Sequence, residues 1–394
     1  MCDYSFNLTL SYGLQPKLQN LLCREISNTF NTVEYYNAVV CSISKKLNPL
    51  SLAQIANLTA RSIALKSGDL DASIALLETA PKGSLAADIY IESKLALLKL
   101  SSSSKEDNPE VFEGVRKMLL KGKEQLKLSD VGGLVKKERD IAEELRNLGT
   151  VSSSTSGSDL ALVYGSYYEA SMLYRKHVGP PEAFYSDALS YLNYTNIDDI
   201  PAEEAFALAT DISLAALTGE GVFHFGEVVT ALEILKVLDG TPNAWLMELM
   251  NCCAEGNVEK FMQVSSQTDV QEKINAQPAL TMRADAVKEK ITLLALVSMI
   301  FELPSHQRAI SFEDICERCM LSSTAEVELL IMRALSLNLI RGSIDEVDQT
   351  VFVTWVMPRV LDKNQTKALS CGFGEWAVKS AKVRDYMGEQ QGLQ

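Results

Sequence analysis

The sequence has 394 residues, of which 47% are hydrophobic and 22% are charged, and its formal net charge at pH 7 is −14. This length predicts two or three modules or a repeat array rather than one ordinary helical core. A chain this acidic is repelled by nucleic-acid phosphates and anionic membranes unless it carries a basic patch, and the sequence contains no such patch.

The N-terminus and the most apolar segment both argue against export and membrane insertion. The first residues lack the basic region and the following apolar core of a signal peptide. The segment 291–301 is much shorter than the roughly 20 residues that cross a bilayer. We therefore expect a soluble intracellular protein whose eight cysteines are reduced thiols.

Helical periodicity dominates the first two thirds of the chain. Gly68 and Asp69 are residue types that end one helix and cap the next. Predicted helices therefore run from residue 52 to this turn, over 70–79 and over 85–100. Short helices joined by such turns are typical of helix-pair repeats. The sequence thus predicts an N-terminal helical-repeat region over residues 1–150.

A polar break at 151–158 precedes a second helical part, predicted over residues 159–305. Its helices are predicted at 164–175, 181–191, 203–217, 226–238, 244–253, 258–263 and 283–301. Four tyrosines near its start are interpreted as core packing between helices. They are Tyr164, Tyr167, Tyr168 and Tyr174.

From residue 306 the pattern changes to helix, turn, helix and hairpin. A short helix at 311–319 is followed by Ser323 and Glu326, which have the spacing of a capping box. The next helix runs to about residue 338. Alternating and β-branched residues then predict a hairpin with strands at 339–344 and 351–356. This order predicts a winged helix over 306–358.

The last segment is predicted as a C-terminal helix over residues 362–390, and it carries a heptad-like series of mostly apolar side chains. The series is Leu369, Phe373, Trp376, Ser380, Val383 and Met387. Such a seam either folds back on its own domain or packs against helices of other chains, and the sequence favours neither. The whole chain is therefore predicted to be all-α: a solenoid-like helical-repeat array, a winged-helix module with a small β-hairpin sheet, and a C-terminal helix.

No combination of residues predicts catalysis, a metal site or a cofactor site. Cys316 and Cys319 form a CxxC motif, but a zinc site of this type needs four ligands, and there is no second such pair. The histidines His177, His224 and His306 are isolated. Glycine-rich nucleotide motifs and serine-nucleophile motifs are absent. We therefore predict a protein that is not an enzyme, with no catalytic residue, no cofactor and no metal.

The predicted winged helix is acidic where many winged helices bind DNA. Its second helix, around 325–333, offers two acids and one base. The hairpin adds Asp345, Glu346 and Asp348 against Arg341, and contact with phosphate is unfavourable at each acid. We interpret the module as a protein-binding platform whose hairpin edge extends a sheet into a neighbour. A nucleic-acid binder is a distant alternative.

Several stretches resemble the PCI-domain family, which comprises scaffold subunits of the proteasome lid, the COP9 signalosome and translation initiation factor three. The stretches are 184–192, 217–227, 256–261, 326–336, 339–348 and 354–362. They are most similar to a lid subunit. The resemblance covers about residues 160–365 and is weaker over the first 150 residues, and the tail after about residue 366 diverges from the family.

The resemblance implies a non-catalytic structural subunit of the proteasome lid, which scaffolds the lid for ATP- and ubiquitin-dependent protein degradation in the cytoplasm and nucleus. It implies that other PCI subunits bind the edges of the winged helix, that the C-terminal helix enters a shared helical bundle, and that a ubiquitin-receptor subunit lies nearby. Neither nucleic acid nor a membrane is an expected partner. A scaffold subunit of the COP9 signalosome or of translation initiation factor three is the alternative. The residues predicted to form protein interfaces are Ile340, Gly342, Ile344, Val351, Val353, Trp355, Leu369, Phe373, Trp376 and Val383.

Overall fold

The computed structural model describes residues 48–80, 83–102, 108–126, 157–226, 228, 234–303, 308–358 and 363–391. The chain divides into two compact units, one ending at Pro201 and one beginning at Ala202. Helices account for most of the described residues, and one small antiparallel sheet lies in the second unit. This confirms the predicted helical class with a small sheet. The N-terminal segment and His306 lie outside the described residues.

The first unit is built from helices joined by short turns. Its described α-helices are α1 (Pro49–Ser67), α2 (Leu70–Thr79), α3 (Leu85–Ser102), α4 (Pro109–Gln125), α5 (Gly157–Val178) and α6 (Pro181–Tyr194). The predicted turn is confirmed: Gly68 adopts a left-handed conformation with φ of 69°, and its N–H donates to the carbonyl of Ala64. The Asp69 carboxylate accepts a hydrogen bond from the N–H of Ala72, so it caps α2.

The core of the first unit is a continuous apolar cluster to which α1 to α5 all contribute. The predicted tyrosine cluster is part of its packing. Tyr164 and Tyr168 both stack on Tyr194, with ring centroids 5.0 and 5.8 Å apart. The hydroxyl of Tyr167 donates to the carbonyl of Leu119 at 3.2 Å. Tyr164, Tyr167 and Tyr174 are buried and Tyr168 is half-buried, which confirms the packing interpretation.

The second unit begins with another set of helices. They are α7 (Ala202–Thr218), α8 (Ala244–Glu255), α9 (Val258–Ser265), α10 (Thr268–Asn275), α11 (Pro278–Met282) and α12 (Ala284–Glu302). The sequence did not predict α10 and α11, because each buries one residue, Val270 or Leu280, and so shows no series of apolar positions at helical spacing. Within the predicted helix 226–238, residues Ile234–Leu238 form a 3₁₀ helix instead of an α-helix.

The C-terminal end of α7 is held by two cations. The buried Lys290 Nζ donates to the carbonyls of Ala216 and Gly219 at 2.6 and 2.7 Å. The Arg283 guanidinium donates to the carbonyl of Thr218 at 2.8 Å. The last carbonyls of a helix have no partner within that helix and carry partial negative charge, so cations stabilise them. These contacts fix the start of α12 against the end of α7.

Replacing Lys290 by Met is expected to destabilise the second unit by about 2–4 kcal/mol. The substitution keeps an unbranched apolar side chain, one atom shorter, but leaves buried carbonyls without this donor. Hydrogen exchange of the α7 amides measures the loss. Lys288→Met, at an exposed position on the same helix, is the matched control. Equal effects of the two substitutions would show that the contacts of Lys290 add no stability.

The winged helix consists of β1 (Ala309–Ser311), α13 (Phe312–Cys319), α14 (Thr324–Ser336), β2 (Ile340–Asp345) and β3 (Thr350–Val356). The strands are antiparallel in the order β1-β3-β2. The predicted hairpin is confirmed, but β1 was missed because a three-residue strand gives almost no alternation. The predicted capping box is shifted: Ser323 Oγ accepts from the N–H of Glu326, whereas the Glu326 carboxylate accepts from the N–H of Ser322.

The final helix, α15 (Lys363–Gln391), confirms the predicted C-terminal helix. None of the helices in the described part of the chain combines the length and the hydropathy that crossing a bilayer requires.

Candidate protein-interaction surfaces

The wing, formed by β2, β3 and the turn between them, has one side buried and one side exposed. The side chains of Ile340, Val351 and Val353 are only 1, 2 and 6% exposed, so they pack in this chain's own core. Of the other predicted wing residues, Gly342 is exposed, and Ile344 and Trp355 are half-buried. The interface role of all six stays a prediction. The buried three can support an interface only by holding the sheet in shape.

The backbone of the wing leaves one edge open for pairing. β3 lies between β1 and β2: it pairs with β2 along its length and with β1 over residues 350–352. No other described strand pairs with the outer edge of β2, so its outward N–H and C=O groups are the ones that another chain can pair with. The strand edge that the sequence predicts to pair with a neighbouring chain is therefore the outer edge of β2.

A bulge between Arg341 and Gly342 shapes this edge. A Cβ atom at Gly342 would collide with the carbonyl oxygen of Phe352, so only glycine fits. Beside the bulge, the Arg341 guanidinium lies 4.8 Å from the ring centroid of Trp355. This cation–π contact covers one face of the Trp355 ring.

Phe352 is a surface residue that the sequence prediction missed. Its ring is 47% exposed, between the buried Val351 and Val353. The alternation along β3 contained the signal, because a side chain between two core positions of a strand points to the opposite face.

The tip of the wing is acidic, as the sequence indicated. The Asp345 carboxylate accepts hydrogen bonds from the N–H groups of Val347 and Asp348 at 3.1 and 3.2 Å, which closes the turn. Glu346 and Asp348 are exposed, and the Val347 side chain is 93% exposed. Because phosphate approaching this tip meets carboxylates, the geometry supports a protein-binding surface over a nucleic-acid surface.

Four large apolar side chains of the seam on the last helix are exposed. Leu369, Phe373, Trp376 and Val383 are 48, 63, 68 and 60% exposed; together we call them the α15 stripe. Within the second unit, to which α15 belongs, the described residues leave these side chains exposed, so the stripe does not fold back on that unit. Large exposed apolar residues on one helical face are typical of a protein interface.

The CxxC motif lies on α13 and does not form a metal site within the described residues, where no group of three or more His, Cys, Asp or Glu could hold an ion. Cys319 is buried, Cys316 is half-buried, and both are free thiols. Burial raises the pKa of the Cys319 thiol to about 12, and it does the same for Cys253 on α8. Such thiols are poor nucleophiles and poor metal ligands at neutral pH.

Alkylation with iodoacetamide at pH 8 is expected to modify the exposed Cys371 long before Cys253 and Cys319. A thiol with a pKa of about 12 has only about one part in 10⁴ as thiolate at pH 8. The raised pKa values also affect folding. As the pH rises from 9.0 towards 12, these two thiols ionise in the unfolded chain before they ionise in the folded chain, so the free energy of unfolding falls. Mass spectrometry of the native chain, with urea-unfolded chain as control, measures the labelling. Equal native rates at Cys319 and Cys371 would contradict the burial.

Comparisons with known proteins agree on one family. A family model described as PSD13 N-terminal repeats matches residues 6–250, and a model described as PCI domain matches residues 262–355. The 26S proteasome non-ATPase regulatory subunit 13 of Dictyostelium discoideum is 32% identical over 346 residues, which are 88% of this chain and 80% of that protein. Homolog A from Arabidopsis thaliana is 31% identical over 347 residues, 88% of this chain and 81% of that protein. The probable 26S proteasome regulatory subunit rpn9 of Schizosaccharomyces pombe is 34% identical over 216 residues, 55% of this chain and 54% of that protein.

Helical repeats that lead into a winged helix with an open sheet edge define a PCI-domain protein, and the matched PCI model ends within β3. The match to the model of PSD13 N-terminal repeats distinguishes this chain from other PCI-domain proteins. The chain belongs to the family of 26S proteasome non-ATPase regulatory subunit 13. The resemblance to PCI proteins is thereby confirmed, and a non-ATPase regulatory subunit agrees with the prediction that the chain is not an enzyme.

Proposed function

We propose that this chain is a structural subunit of the lid of the 26S proteasome regulatory particle, where it scaffolds the lid for ATP- and ubiquitin-dependent protein degradation. The observation that carries the proposal is the exposed α15 stripe in a chain whose relatives are named as proteasome regulatory subunits. Four large apolar side chains on one face of a helix are stabilised when they pack against other helices, as they do in a shared bundle.

The proposed partners follow from the two open surfaces. The free edge of β2 pairs with a neighbouring PCI subunit, and the α15 stripe packs in a bundle of helices from several lid subunits. A ubiquitin-receptor subunit lies nearby. Because the wing tip is acidic and is repelled by phosphates, we expect neither nucleic acid nor a membrane among the partners. We place this assembly in the cytoplasm and nucleus, where the protein operates as part of the particle.

The proposed domains keep the boundaries that the sequence predicted. They are 1–150 for the N-terminal repeats, 159–305 for the helical part that leads into the PCI domain, 306–358 for the winged helix and 362–390 for the C-terminal helix. The boundary between the compact units, at Pro201 and Ala202, falls inside the second of these segments.

Native affinity purification of the tagged full chain, followed by mass spectrometry, tests the proposal. We expect lid and base subunits of the proteasome in the eluate, together with peptidase activity towards ubiquitin-tagged substrates. Recovery of COP9 signalosome or translation initiation factor three subunits instead would refute the proteasome assignment and keep the scaffold role. Recovery of nucleic acid without these proteins would refute both.

A further inference from the structure

A groove of about 810 Å³ lies within the second unit, where β1 and α13 approach the turn between α8 and α9 and the end of α12. Six of its twelve lining residues are apolar. The apolar lining residues are Val258, Met299, Leu303, Ala309, Ile310 and Met320. The Met320 side chain remains 51% exposed at the end of α13. The volume is in the range of pockets that hold a small ligand or a few residues of a peptide.

The rim of this groove is acidic. Glu259, Asp314 and Glu317 line it and are exposed. The cation that also lines it, Arg318, forms an ion pair with Glu302 at 3.5 Å. The rim therefore carries net negative charge and attracts lysine or arginine side chains.

One wall of the groove is the outer edge of β1, with which none of the described strands pairs. In the ladder between β1 and β3, the carbonyl of Arg308 accepts from the N–H of Val353, and the N–H of Phe312 donates to the carbonyl of Gln349, both at 2.9 Å. Backbone groups alternate in direction along a strand, so the N–H and C=O of Ala309 point away from β3. β1 ends the sheet on this side, and no other described strand pairs with it. An extended segment can therefore add beside Ala309.

We propose that this groove binds an extended segment of a partner protein in which apolar residues alternate with lysine or arginine. The apolar side chains enter the groove beside Met320, and the basic side chains contact the carboxylates of Asp314 and Glu317. The backbone of the segment pairs with the outer edge of β1. Alternation with a period of two matches this arrangement, because successive side chains of a strand point to opposite faces. The site is separate from the β2 edge and the α15 stripe, and it does not depend on membership in the lid.

The test uses a fluorescent hexapeptide of alternating valine and lysine, titrated against the purified full chain and followed by anisotropy. We expect saturable binding that weakens about tenfold or more with Glu317→Lys, since reversing one rim charge removes an attraction and adds a repulsion. Ala309→Pro is expected to weaken binding as well, because it removes the outward N–H and leaves the hydrogen bonds to β3 in place. Glu317→Gln, a milder change, should give an intermediate loss.

The matched control is Glu313→Lys, an exposed acid on the same helix that does not line the groove. It should leave the affinity unchanged, and circular dichroism checks that each variant is folded. An equal loss with Glu313→Lys would show that the peptide is attracted by overall charge, which would overturn the proposal. Equal binding of a valine–glutamate hexapeptide, or no saturable binding of the valine–lysine peptide, would overturn it too.

Discussion

Replacing Phe373 and Trp376 by Asp is expected to leave the chain folded and to weaken its incorporation into a large complex strongly. Both rings are more than 60% exposed, so their loss removes little packing within this chain. Burying either ring at an interface contributes about 1.5–3 kcal/mol, and an unpaired carboxylate at the same place adds a desolvation cost. The sum weakens assembly by at least about a hundredfold. Sedimentation of cell extracts measures how much of the tagged chain enters the particle.

The control for this double substitution lies on the opposite side of the same helix. Cys371 and Val378 are exposed and about half a turn away from the α15 stripe. Changing both to Asp introduces the same charges on the same helix, and incorporation should persist. Loss of helicity in the free Phe373→Asp, Trp376→Asp chain would show that the stripe belongs to this chain's own core. Equal loss of incorporation in both double variants would show that any added charge on α15 is disruptive.

Gly256→Ala is expected to destabilise the second unit by about 3 kcal/mol or more. Gly256 ends α8 with a φ of 71°, which disfavours any side chain. A Cβ atom there would also lie 2.5 Å from Ser298 Oγ and 2.8 Å from the carbonyl oxygen of Leu294, both on α12. Ser298 Oγ donates to the carbonyl of Glu255 at 2.8 Å, so relief of the overlap breaks a hydrogen bond. Hydrogen exchange of the α8 and α12 amides measures the loss.

Gly68→Ala separates the two causes of this loss. Gly68 ends α1 with nearly the same φ, 69°, but a Cβ atom there meets nothing within 4 Å. Its replacement should therefore cost only the backbone strain, about 1 kcal/mol, measured on the α1 and α2 amides. If the two variants lose the same free energy of opening, the close approach of α12 to Gly256 has no energetic consequence.

Features that depend on a few neighbouring residues were readable from the sequence. The turn at Gly68 and Asp69 was predicted because a left-handed glycine and a capping carboxylate act within one or two helical turns. The hairpin was predicted because alternation along each strand reports its two faces. The seam of the last helix was also visible, because its spacing is a property of that helix alone. The absence of catalytic motifs was a similarly local observation, which the family assignment supports.

Other features required the tertiary structure, because they join residues far apart in the chain. β1 has three residues and becomes a strand through pairing with β3, about 40 positions later. Lysine is a residue type that usually lies at the surface, yet Lys290 is buried and donates to the carbonyls of residues more than 70 positions earlier in the chain. The sequence left open whether the α15 stripe packs on its own chain, and its exposure decided this for the described residues. Periodicity identifies an apolar face, but only the packing of the whole chain determines which faces remain for partners.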